Sequence, residues 1–212
     1  MDRKALEQAV GDFLAATGVA PEEHHAETPR LVAEAWEQEL LAGYTQAPKD
    51  ALGEPVGSAE DGLVLLKGVE FHSMCAHHLL PFRGTAHVGY LPGPSGIVGI
   101  GALARLVECF ARRLQTQERL TSQIADALMT YLEPQGAIVV VEAEERALQN
   151  GAKREIVLEI GDHPAERDEI LNRDMIGDDQ PVRVPAQRLL HARAASVRDE
   201  ACPRPRRDFP DR

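Results

Sequence analysis

The 212-residue sequence is poor in aromatics, at 4%, and in cysteine, with only Cys75, Cys109 and Cys202. A core built without aromatics must be mainly aliphatic. The 43% hydrophobic content is enough for one, which argues against global disorder. An odd, sparse cysteine set does not make a disulfide framework. No long basic run is present and the net charge is −11, which argues against sequence-independent nucleic-acid binding. A local basic pocket for an anionic ligand stays open. No stretch approaches the roughly 18–20 apolar residues of a membrane span. The start, MDRKALEQAV, lacks the apolar core of a signal peptide. A reducing cytoplasm is the expected compartment.

Periodicity organises what is there. Residues 3–17 carry Leu6, Val10, Phe13 and Leu14 at helical spacing, with Gly18 as a stop. A second helix is expected from Thr28-Pro29, capped by Thr28 and ended by Gly43. Residues 45–61 read as a loop. From Gly62, LVLLKGVEF and GTAHVGYLP read as antiparallel strands, the latter ending in the turn PGPSG. GIGALARLVECFARRL and TQERLTSQIADALMTYL read as two helices. AIVVVEAEERAL and KREIVLEI read as a strand pair joined through Asn150-Gly151. AERDEILNR reads as a short closing helix. The expected division is an N-terminal helical region and loop (1–61), a catalytic domain (62–173) and a mostly disordered tail (174–212).

The chemistry concentrates in FHSMCAHHLLPFRG, residues 71–84, where Cys75, His77 and His78 fall within four positions. Taken alone, such a histidine is by default structural, and a cysteine is by default a small buried hydrophobe. Cys-x-x-His supplies only part of a four-ligand zinc site. Cys109, inside LVECFARRL, reads as a helix-core residue. Cys202 reads as an incidental thiol, and His24-His25 as solvated. His72 stands as a spare ligand.

The surroundings are more specific. SMCAHHLLPFRGTAHVGYLP, then GIGALARLVECFARRLQTQERLT, then VVVEA, resemble the GTP cyclohydrolase I family. ETPRLVAEAW…LLAGY upstream and RDEIL at 167–171 extend the resemblance over about residues 5–172, in order and with similar spacing. It implies an α+β T-fold: an antiparallel sheet with two long helices on one face, after an N-terminal helical segment. It further implies sheets closing into an oligomeric β-barrel, which removes exposed edges. The implied assembly is a homodecamer of two pentamers with interfacial active sites. In that family zinc activates water that adds to C8 of the guanine ring, a histidine handles the N7 proton, and formate leaves. The sugar then rearranges and a pterin ring closes.

Carried over, the resemblance makes Cys75 and His78 zinc ligands and His77 the catalytic proton carrier. Gln117 and Glu118 become the guanine-recognition pair, since a carboxylate can accept both N1–H and the 2-amino group. Arg105 remains from the family's basic set for the triphosphate. The departures lie elsewhere. After VVVEA the family has His-x-Cys, a second catalytic histidine and a third zinc ligand. Here Glu145 and Ala147 hold those places. Glu145 is accordingly the candidate third metal ligand or general base. The family's Ser-Lys becomes Gly101-Ala102, its Arg-Gly becomes Asn150-Gly151 or Gly151-Ala152, and its TP-x-Arg arginine becomes Leu31. Arg30 is one residue early, about 100° round a helix.

Three readings follow. The first is a zinc hydrolase opening the imidazole ring of guanine, or of a guanine derivative lacking the triphosphate. The second is a conventional GTP cyclohydrolase I making dihydroneopterin triphosphate. The third is a non-catalytic purine- or pterin-binding paralogue.

Overall fold

The structure, a computed structural model, describes residues 1–18, 26–57, 62–144 and 153–161. All of these belong to one unit, Met1–Val182. Helix α1 (Arg3–Thr17) matches its expected span, and Asp2 caps it by accepting the Ala5 N–H. Helix α2 (Thr28–Ala35) begins at the expected pair, but Thr28 lies inside it and Glu27 takes the cap position. It does not run to Gly43. The backbone widens to a π turn at Trp36–Leu40 and tightens to a 3-10 turn at Ala42–Thr45. Gly43 sits in this bend with its N–H on the Arg112 carbonyl, where an added Cβ would collide with the Cys109 carbonyl oxygen. The expected 45–61 loop contains a short helix, α3 (Pro48–Leu52), started by a proline in its first turn.

The strands of the sheet are β1 (Val64–Cys75), β2 (Pro81–Leu91), β3 (Leu114–Gln115), β4 (Gly136–Glu144) and β5 (Lys153–Gly161). The four long strands fall in the anticipated chain order, whereas β3 is an addition: GIGALARLVECFARRL reads as helix to Leu114, but the helix ends at Ala111 and Leu114–Gln115 pair with the sheet. The lateral order is β3-β1-β2-β4-β5, antiparallel throughout except for the short parallel pairing of β1 with β3. Helices α4 (Ile100–Ala111) and α5 (Gln117–Leu132) lie between β2 and β4 in the chain. Alternation assigns Phe71, Cys75, Phe82, Ala86, Val88, Val139, Val141 and Ala143 to the face that packs on these helices.

The helices answer with Leu103, Leu106 and Phe110 from α4 and Leu120, Ile124, Leu128 and Leu132 from α5. Each such leucine, buried against the sheet, contributes about 1.5–3 kcal/mol relative to exposure. Thr116 caps α5, its hydroxyl accepting the Arg119 N–H at 3.2 Å. Gly84 lets β2 approach β4, since a Cβ there would run into the Glu142 carbonyl oxygen. An antiparallel sheet with two long helices on one face, after an N-terminal helical segment, is the T-fold arrangement expected from the sequence. The Asn150-Gly151 turn, the AERDEILNR helix and the 174–212 tail lie outside the described residues.

Candidate active site

Strand β1 does not stop before the histidine segment. It runs through it to Cys75, and the chain then turns within Ala76–His78. The Cys75 N–H donates to the Leu80 carbonyl and the Leu79 N–H to the Cys75 carbonyl, both at 2.9 Å. Closing so short a turn puts Leu79 at φ 55°, a left-handed conformation that costs a branched side chain on the order of 1–2 kcal/mol. Cys75 is buried among helix-facing residues, whereas His77 and His78 are exposed.

The Cys75 Sγ lies 3.7 Å from His78 Nδ1. Zinc–sulfur and zinc–nitrogen bonds of about 2.3 and 2.05 Å at a tetrahedral angle would separate two such donors by about 3.6 Å. The pair therefore fits the metal implied by the sequence. The His77 ring stands at 73° to that of His78, centroids 6.1 Å apart. Among the described residues no three His, Cys, Asp or Glu side chains gather as a metal cluster. Glu145, the expected third donor, and Ala147 lie outside the described residues.

The other candidates converge on the same end of the sheet. Cys75 pairs with Gln115 across the parallel bridge, and the Ala76 N–H donates to the Gln115 carbonyl at 2.8 Å. Two residues later α5 begins at Gln117. The Gln117 amide donates to the Val141 carbonyl on β4 at 2.7 Å, and Gln117 is only 2% exposed. It fastens the helix start to the sheet. Glu118, the next residue, is exposed in the first turn of α5, where the helix dipole favours a carboxylate. Register places Glu144 opposite Arg83 and Arg83 opposite His72, so β4 ends level with His72, with β2 between it and β1.

The positions that the resemblance assigns to the triphosphate look different. Arg105 is exposed and donates through Nε to the Ala51 carbonyl of α3 at 3.0 Å. Gly101 and Ala102 occupy the first turn of α4 and bring no cation. Leu31 is exposed on α2. Arg30 does not stand in for it: its guanidinium bridges Glu27 at 2.7 Å and Glu34 at 3.1 Å.

His72 is not a neighbour of the Cys75 thiol. Three residues back along the strand, it points to the opposite face. There it lines a cleft of about 210 Å³ with Glu70, Arg83, Thr85 and Glu142. On the same face His87 Nε2 lies 3.9 Å from Glu142, and burial pushes the His87 pKa down against the opposing pull of that carboxylate. Cys109 is a fully buried helix residue, as expected, with its thiol on the Gln46 carbonyl. Sequence reading missed Gln115 altogether; its only signal is a glutamine between the apolar end of α4 and the QERLT string.

The sequence profile described as GTP cyclohydrolase I matches residues 6–156. Among curated proteins, a "GTP cyclohydrolase 1" of Streptomyces coelicolor is 52% identical over 149 residues, 69% of this chain and 74% of that protein. One of Halalkalibacterium halodurans is 47% identical over 156 residues, 73% of this chain and 82% of that protein. Among solved structures, an apo archaeosine synthase QueF-Like superposes at TM-score 0.44 with 21% identity, covering 50% of this chain and 100% of that one.

Proposed function

The chain belongs to the GTP cyclohydrolase I family, a lineage of hydrolases, and from that premise we propose that it opens a guanine-type imidazole ring on a substrate without a triphosphate. One observation carries the reading. Cys75, His78 and Glu118, the proposed metal and base-reading residues, lie toward one end of the sheet, while Gly101, Ala102 and Leu31 leave the proposed phosphate side with Arg105 but without most of the cations the resemblance implies. Guanine or a guanine derivative such as a nucleoside suits such a pocket better than a polyanion, whose binding depends on charge-assisted contacts.

Cys75 and His78 would hold the zinc, with Glu145 as the third donor or as a general base. When bound, the metal supplies Lewis-acid activation of water near neutral pH. Glu118 accepts the N1–H and 2-amino hydrogens and so fixes C8 toward the Cys75 turn. Gln117 holds that helix start against Val141. His77 delivers a proton to N7 as water adds to C8 and the ring opens. A second water releases formate and leaves an aminopyrimidinone. Without a free, unblocked ribose, closure to a pterin does not follow.

The site is completed in a cytoplasmic homodecamer whose sheets close as a barrel. Exposed Leu79 and Leu80 beside the histidines supply apolar surface for such a contact. The division at 61/62 and 173/174 belongs to the same reading. No helix among the described residues is long and apolar enough to cross a membrane.

A second reading, conventional conversion of GTP to dihydroneopterin triphosphate, is favoured by the 52% identity to a protein of that name. Zinc content of the purified protein and formate release from guanine, guanosine and GTP separate the two. Zinc near one per chain with formate from guanine or guanosine is the expected result. Formate from GTP alone rejects the altered substrate, and a protein without zinc rejects both.

A further inference from the structure

Gln115 is 1% exposed, and all of its donors are committed. Its carboxamide donates to the Phe110 carbonyl in the last turn of α4 at 2.9 Å and to Gln123 Oε1 on α5 at 2.8 Å. Its own Oε1 is buried and accepts no hydrogen bond among the described residues. An apolar side chain of similar size would remove this unpaired acceptor, at the cost of the donor to the Phe110 carbonyl. What an apolar residue would not do is fix direction. Two committed N–H groups hold the amide in a single orientation between the end of α4 and α5. The main chain of the same residue carries the Cys75–Ala76 bridge, and Glu118 follows three positions on.

We propose that Gln115 is a positioning residue that holds the Cys75–His78 turn in phase with Glu118, so that metal binding and guanine binding are energetically coupled. This rests on the reading of the site given above. Gln115 touches neither ligand. It acts through the bridge to Cys75 on one side and the start of α5 on the other.

The test uses the full chain and two probes, zinc chloride and guanosine. Zinc affinity is read by competition with a chromogenic chelator and guanosine affinity by calorimetry, each with and without the other ligand. Linkage makes the coupling factor the same from either side, and about tenfold is expected for the unaltered protein. Gln115→Met keeps the length and removes the donors. It is expected to bind each ligand alone within about threefold of the unaltered protein, while the coupling falls to about twofold or less. Gln123→Met, which removes one partner from a less buried position, is expected to fall between, and it decides the matter if Gln115→Met does not fold.

Full coupling retained in either variant, with only a lower melting temperature, makes Gln115 a structural residue and overturns the proposal. An unaltered protein that binds both ligands independently overturns it as well, while leaving the reading of the site intact. An unaltered protein that binds neither zinc nor guanosine overturns the site itself, and this proposal with it.

Discussion

The two sides of the pocket have been kept with different care. On the metal and base side, each feature supports a neighbour. Cys75 lies at hydrogen-bonding register with Gln115, Gln117 is clasped to Val141, and Glu118 stands at a helix start that suits its charge. On the phosphate side, Arg30 is tied into two local ion pairs, Arg105 is tethered to a carbonyl, and Gly101-Ala102 bring no charge to the start of α4. Packing restrains the first side, because its residues also hold helix to sheet. The second, where the resemblance implies cations, includes the exposed positions Gly101 and Leu31, and an exposed side chain can change without disturbing the core. The lesson is that structural entanglement alone would retain Cys75 and Gln117. It would not retain His77, His78 and Glu118, which are exposed. Their match to the family's motif therefore speaks for the proposed chemistry rather than for packing.

The contrast can be broken most sharply on the metal side. Cys75→Ala should weaken zinc binding by about a hundredfold or more, since it removes one of few donors, and should abolish formate release. Metal analysis with the formate assay checks both, and unchanged zinc would move the site elsewhere. Glu118→Gln comes next. Losing a charged acceptor for two guanine donors should weaken guanosine by about 10–100-fold, or roughly 1.5–3 kcal/mol, with zinc content unchanged. Calorimetry reads the first quantity and metal analysis the second.

Rebuilding the phosphate side is the reverse experiment. Gly101→Ser, Ala102→Lys and Leu31→Arg together should tighten GTP by about tenfold or more while leaving guanosine within about twofold. Equal tightening of both would show that the side had not been specific for phosphate. Ala102 is buried, so the lysine must reach solvent along the helix, and a Gly101→Ser, Leu31→Arg pair serves as the milder form.

The smallest effect lies on the far face of the sheet. His87 has a folded-state pKa below its ordinary 6.5, chiefly from burial, with Lys67 adding to the depression and Glu142 opposing it. The unfolded chain therefore binds more protons in the window just below pH 6.5. Stability is fully present above that value and is lost as pH falls through the lower folded one. Thermal unfolding between pH 7 and 5 should show this decline, and His87→Gln should flatten it. Zinc content should not change between His87→Gln and the unaltered protein at pH 7, because the ring faces away from Cys75.

Most of the element order was legible in the sequence because α4, α5 and the central strands are strongly periodic. The histidine segment was harder. LVLLKGVEF was read as the strand and FHSMCAHH as what followed, but β1 carries Phe71, Ser73 and Cys75 inward at period two as far as the turn. With that alternation the separation of His72 from Cys75 could have been read directly. The break at Trp36–Leu40 was not legible, and the bend that follows it brings Gly43 against the carbonyls of Cys109 in α4 and Arg112 just after it, far along the chain. Gln117 shows the same limit. A polar residue at a helix start reads as exposed until the Val141 carbonyl is brought to it by the fold. The motif positions Cys75, His77, His78, Gln117 and Glu118 were readable in the sequence, whereas the burial of Cys75 and Gln117 and the exposure of His77, His78 and Glu118 were not.

The parallel bridge between Cys75 and Gln115 also bears on the order in which the chain assembles. Cys75 and His78 belong to one hairpin turn, which closes with neighbours in sequence. The bridge to Gln115 and the pairing of Arg83 with Glu144 require long loops to close, and such contacts come late and slowly. A thiol and an imidazole are thus presented together before the rest of the pocket exists. Metal that binds so early would favour the turn while the helices are still finding the sheet. Refolding followed with and without zinc reads this order directly: faster recovery with zinc would make the ion a participant in folding as well as in the proposed site.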